Sequence, residues 1–236
     1  MDDHRPGTSE LSEGSPLVVA ERGARAPWAA SVAGLLFAAM FTGSLFLLRG
    51  ADAYTVGDHE INSVFARGND LPVVIGGLYL APFAGIMFLW FVAVIRDQIG
   101  EREDRFFATV FFGSGLLFTG MLWIAAAIAS APSVGVRYLG EAPPSAETLD
   151  LLRAIVYTVA FVFADRAAAV FMFATATIGL RTGVLPRWFS IVTYLLGTVL
   201  LVVVTVFDLA ILVLPAWVAA LSLLILRREM ARRRAT

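Results

Sequence analysis

The chain has 236 residues, 58% of them hydrophobic and only 16% charged, a balance outside the range of soluble domains that points to the membrane class before any motif is read. It contains no cysteine, which excludes disulfides, thiol nucleophiles and iron–sulfur clusters. The formal net charge of -1 says little, because in a membrane protein the placement of charge carries the information.

In chain order, residues 1–26 are rich in Gly, Pro, Ser and acids and too poor in apolar residues to build a core, so they read as a disordered cytoplasmic tail. A cleaved signal peptide fits badly, since the first apolar run begins only at Trp28 and lacks a small-residue cleavage site. Crossing a hydrocarbon core of about 30 Å takes roughly 20 helical residues. The apolar runs 28–48, 71–95, 106–131 and 151–180 meet that length and predict four membrane helices. The next run, 188–226, would measure about 58 Å as one helix at 1.5 Å per residue and must fold back. Asp208 is the only charged residue inside it, and a tight turn there yields six spans.

Arginine placement supports the count, because short cytoplasmic loops carry the excess of positive charge. With both termini inside, the inner segments hold Arg22, Arg25, Arg96, Arg102, Arg105, Arg181, Arg187, Arg227, Arg228 and Arg232 to Arg234, against Arg49, Arg67, Arg137 and Arg153 outside. The expected fold is therefore all-α: a polytopic bundle of six spans over residues 27–228, both termini cytoplasmic, with a basic tail at 229–236. That tail, with Arg227 and Arg228, serves orientation. Arg227, Arg228, Arg232, Arg233 and Arg234 would also be drawn to anionic lipid by about 1 kcal/mol each. Nucleic acid is not an expected partner.

Local signals refine the map. In the outer loop, Asp58 as N-cap, Ile61, Val64 and Phe65 at helical spacing, and Gly68 as a stop predict a short interfacial helix. After Ala131, the prolines 132, 143 and 144 predict irregular chain until Ser145, a cap for an outward extension of the fourth helix. Ala30, Gly34, Ala38 and Thr42 form a stripe on the first helix, as do Gly77, Ala81 and Gly85 on the second. Such stripes let backbones approach closely, and the two are expected to pack on each other, with a homodimer seam as the alternative. Pro82 is expected to kink the second helix and Pro215 the sixth.

The chemical anomaly is Asp165 beside Arg166, inside the fourth apolar run. Two central charges cost roughly 5 to 7 kcal/mol of insertion energy, against roughly 4 to 5 recovered from the ten Val, Ile and Phe around them. The fourth helix is therefore expected in the bundle interior. The pair lies about 22 Å from Leu180, in the outer half of the core. Adjacent helical residues point about 100° apart, so the two cannot simply neutralise each other.

Two readings stand. In one, Arg166 snorkels outward and Asp165 bonds to neighbouring helices, an interior polar anchor in a structural or accessory membrane subunit. In the other, Asp165, Arg166, Asp208 and Thr158, which lies seven residues before Asp165, line a polar site of a small-solute or ion translocator, with proton coupling as one form of it. The absence of a clear 3+3 repeat favours the first. Asp58, His59 and Glu60 lack the ligand spacing of a metal site, and no nucleophilic triad or phosphate loop is present. Neither cofactor nor metal is expected, and enzymatic chemistry is disfavoured.

Gly77-Leu-Tyr-Leu-Ala-Pro-Phe-Ala-Gly85, Arg105-Phe-Phe-Ala-Thr-Val-Phe-Phe-Gly-Ser-Gly-Leu-Leu-Phe118 and Gly183-Val-Leu-Pro-Arg-Trp188 resemble segments of uncharacterised six-helix integral membrane proteins of high-GC, actinobacterial-type bacteria. The resemblance implies a multi-pass protein of a bacterial plasma membrane and carries no site residue. The last segment also reads directly as a helix start, with Pro186 near the first turn and Trp188 as an interface anchor. Beyond the bilayer, a second copy of the chain or another membrane subunit is the expected partner.

Overall fold

The computed structural model describes residues 16–49, 65, 69–99, 105–202 and 210–235. Asp208, residues 58–60 and most of the expected interfacial helix lie outside them. Among the described residues every regular element is helical. α1 is Pro16–Arg49. α2 covers 71–99, with a π-helical segment at Val74–Leu80. α3 is Arg105–Tyr138. α4 is Ala146–Thr182, with a second π segment at Thr158–Ala164. α5 is Arg187–Val202, and α6 is Val213–Ala235, entered through a 3-10 turn at Ala210–Leu212.

Four stretches, Trp28–Arg49, Leu71–Arg96, Phe106–Tyr138 and Ala146–Thr182, have 22, 26, 33 and 37 residues. Each exceeds the roughly 20 residues a crossing needs, so this is a membrane protein by helix length and composition. α5 is a shorter apolar helix, and α6 turns from apolar to basic at Arg227.

Consecutive helices alternate in direction, as side-chain contacts show. Ser44 on α1 reaches the Gly76 carbonyl on α2 at 2.8 Å, while Phe37, earlier on α1, meets Phe88, later on α2, in a tilted ring contact with centroids 4.7 Å apart. Arg96 lies over the Phe112 ring of α3, and Asp70 meets Arg137 at the opposite end. The Arg181 guanidinium covers Phe107 at 4.4 Å, pairing the end of α4 with the start of α3. Thr177 bonds Tyr194 of α5 at 2.7 Å, and the Trp217 indole of α6 donates to Thr193 at 2.8 Å. The bundle thus has an Asp70 end and an Arg181 end.

Its centre is aromatic. Phe37, Phe88, Phe118, Phe171 and Phe111 form a chain of ring contacts with centroid separations between 4.7 and 6.3 Å. Trp217 closes the chain edge-on against Phe171. These rings come from α1, α2, α3, α4 and α6, so helices from both halves of the sequence share one core.

Several expectations change. α1 is helical from Pro16, ahead of the apolar start at Trp28; a proline in the first turn and the helix-favouring Ala20, Glu21, Arg22, Ala24 and Arg25 suit that extension. α3 does not stop at Ala131 but continues through Pro132 to Tyr138, leaving only 139–145 irregular. Neighbouring helices can tolerate the one hydrogen bond a proline removes, and Arg137 in the added turns is tied to α2. Ser145 does cap α4, its hydroxyl accepting from the Thr148 N–H at 3.3 Å.

Pro215 falls in the first turn of Val213–Ala235, where no intrahelical N–H is needed, so it starts α6 rather than bending it. The wide turns of Val74–Leu80 come just before Pro82, accommodating its ring without a break. The small-residue stripes do not pack on each other. Gly77 and Gly85 face Ser130 and Trp123 of α3, while Gly34 faces Phe91 of α2 and Ser222 of α6. Ala30 and Ala81 are fully buried, and Ala38 is half-buried.

Candidate functional site

Asp165 opens the α segment that follows the π turns of α4, and it is only 5% exposed. Its surroundings on the same helix are Ala164, Ala167, Ala168 and Ala169, all buried. Among the described residues it makes no hydrogen bond and no ion pair. Arg166 points elsewhere: its Nη1 donates to the Val162 carbonyl of its own helix at 2.7 Å. The side chain thus folds back one turn toward the Asp70 end, the direction in which helical side chains lean. The pair is adjacent in sequence but forms no ion pair, although the Arg166 charge still acts on the Asp165 carboxyl.

Thr158 does not join them. Its hydroxyl donates to the Ala154 carbonyl at 2.8 Å, and the residue is exposed. The expected shared face assumed seven residues of regular α-helix, but Thr158–Ala164 is π-helical. Its i→i+5 turns rotate less per residue, so Thr158 and Asp165 fall on different faces.

A second charged contact lies at the Asp70 end. Arg137 Nη2 approaches Asp70 Oδ1 at 2.5 Å and Arg137 Nε approaches Oδ2 at 3.3 Å, a two-pronged contact that joins the start of α2 to the end of α3. The Asp70 side chain is 1% exposed and that of Arg137 35%. The Asp70 carboxylate makes no cap to its own helix; its backbone carbonyl accepts from the Val73 and Val74 N–H groups instead. Hydropathy alone puts both residues on one side of the membrane but ends the third helix at Ala131. That hid the turns that carry Arg137 to its partner.

At the same end of the bundle is a cavity of about 370 Å³, at the small end of the range for ligand pockets. It is lined by α1, α2, α3 and α4, with Ile211 at the entry to α6, and is partly open to the surroundings. Phe41 and Phe161 form part of its buried apolar wall, and Phe161 stacks on Tyr157 at 5.0 Å. Arg49 and Arg153 line it as well. Phe161 lies one helical turn before Asp165, and neither Asp165 nor Arg166 lines this cavity. Among the described residues no cluster of His, Asp and Glu suits a metal ion.

At the Arg181 end, the basic residues engage the protein itself. Arg96 and Arg181 sit over aromatic rings, and Arg228 donates to the Val184 carbonyl. The described side chains of Arg227 and Arg234 are exposed, while those of Arg232 and Arg233 lie outside the described residues.

No known family model matches the chain, and neither curated proteins nor solved structures give a significant match.

Proposed function

We propose that the protein is a structural or accessory subunit of a bacterial plasma membrane, a six-span bundle with both termini cytoplasmic, in which Asp165 and Arg166 act as an interior polar anchor. The observation that carries this reading is the Arg166–Val162 bond. A guanidinium committed to its own helix is not offered to a passing solute. The cost of the charge is instead offset within α4 itself, which fits a residue with a structural role in that helix rather than one that handles a solute. The resemblance of segments 77–85, 105–118 and 183–188 to six-helix bacterial membrane proteins agrees with that location. Its partner would be a second copy of the chain or another membrane subunit.

A second reading rests on Asp165 itself. A buried carboxyl without a hydrogen bond among the described residues suits proton uptake, as in proton-coupled translocators, with Asp208 as the residue to test beside it.

Asp165→Asn and Arg166→Gln separate the two in proteoliposomes and in the native membrane. The anchor reading expects Arg166→Gln to lower membrane abundance and thermal stability, with proton and ion flux unchanged in both variants. Normal abundance with an altered proton flux in Asp165→Asn would overturn it in favour of translocation.

A further inference from the structure

The cavity at the Asp70 end has a construction that helix packing alone does not require. Ala81, Ala125, Ala126, Ala129 and Ala160, from α2, α3 and α4, line it. Bundle interiors are ordinarily filled to crystal-like density, and here small side chains hold a space open between large ones.

Its polar lining is equally particular. Arg153 Nη1 contacts Asp150 Oδ1 at 3.2 Å, with the Arg153 side chain 36% and the Asp150 side chain 71% exposed. Arg153 Nη2 is buried and makes no hydrogen bond among the described residues. A buried donor without an acceptor loses its hydration for no return, and such atoms call for a specific explanation. Arg49, in the last turn of α1, lines the same cavity and adds a second positive charge.

From Arg49 to Phe41 is eight residues, about 12 Å along an α-helix, and from Arg153 to Phe161 is also eight, partly through the π segment of α4. The cationic residues therefore lie toward one end of the cavity and the two phenylalanines deeper. Cations above an apolar slot are the complement of an anionic head on an alkyl tail. A guanidinium prefers planar or tetrahedral oxyanions, which it holds through paired, charge-assisted hydrogen bonds.

We propose that this cavity binds an anionic amphiphile through one alkyl chain, with its carboxylate or phosphate head on Arg153 and Arg49 and the chain reaching toward Phe41 and Phe161. The shared chemistry admits two sources, an anionic lipid of the surrounding bilayer or a free single-chain amphiphile.

The test uses the full chain in nanodiscs of neutral phosphatidylcholine, titrated with decyl phosphate and followed by thermal shift and calorimetry. Saturable binding is expected for decyl phosphate, and none for inorganic phosphate or for an uncharged decyl maltoside at the same concentrations. Arg153→Gln should weaken binding about tenfold or more, as the loss of a charge-assisted contact implies. Ala160→Phe, which fills the slot from α4, should abolish it, and Ala129→Leu does the same from α3 if the first variant does not fold. Nanodiscs containing phosphatidylglycerol identify the source: competition supports the bilayer lipid as occupant, and undiminished binding supports the free amphiphile. Equal binding by the wild type and these variants, or binding of inorganic phosphate as tight as that of decyl phosphate, would overturn the proposal.

Discussion

At the scale of the residue, the two charged contacts behave differently because their surroundings differ. Asp70 is almost fully enclosed and meets a two-pronged guanidinium, so removing that partner leaves a buried carboxylate uncompensated. Breaking a fully buried pair costs about 3 to 5 kcal/mol, and the partial exposure of Arg137 reduces this to about 1 to 3. Arg137→Gln is therefore expected to lower the melting temperature in detergent. Asp70→Asn combined with Arg137→Gln should recover part of the loss, because the buried charge is gone as well. Equal melting of Arg137→Gln and the wild type would show that the contact contributes nothing. Asp165 and Arg166 were visible in the sequence because charge within an apolar run is rare. The bond of Arg166 to Val162 was not, since the direction of a long side chain depends on the local turn.

At the scale of the element, glycines with opposite surroundings make the packing testable. A Cβ at Gly85 would lie 2.7 Å from Trp123 Cε2, whereas one at Gly120 would meet nothing within 4 Å. Gly85→Ala forces a rigid indole to move and is expected to cost about 1 to 2 kcal/mol. Gly120→Ala removes backbone freedom from the unfolded chain at no steric cost and is expected to gain about 0.5 to 1 kcal/mol. Thermal unfolding of the two variants, shifting in opposite directions, checks the argument. The stripes that contain Gly34, Gly77 and Gly85 were readable from four-residue spacing. Their partners were not, because spacing gives a face but not the helix it meets. The π segments were equally hidden: nothing in the composition of Thr158–Ala164 marks a change of pitch, and that change moves Thr158 off the face of Asp165.

At the scale of the whole molecule, hydropathy alone gave helical class and the apolar cores of the four longest helices, because a span must satisfy its backbone internally and expose apolar side chains. It gave helix ends less well: polar turns at Pro16–Pro27 and Pro132–Tyr138 extend helices beyond their apolar cores. The cavity could not be read in advance, since its lining comes from alanines and arginines far apart in sequence that only the assembled bundle brings together. Arginine placement predicts the orientation, and the cysteine-free chain suits its test. Leu139→Cys and Ala231→Cys each place one thiol at an exposed position, near opposite ends of the bundle. In intact cells a membrane-impermeant maleimide should label Leu139→Cys and spare Ala231→Cys. The reverse pattern would invert the topology.

The aromatic core has an optical consequence. Of the five tryptophans, Trp28, Trp90, Trp123 and Trp188 are between 38% and 63% exposed, while Trp217 is 3% exposed, packed against Phe171 and Phe189 and bonded to Thr193. Four indoles therefore face the surroundings, where brominated lipid or aqueous quenchers can reach them, and one is shielded by rings of α4 and α5 and a hydrogen bond to α5. The emission that survives quenching belongs to Trp217, and its wavelength follows the integrity of the core independently of the membrane around it.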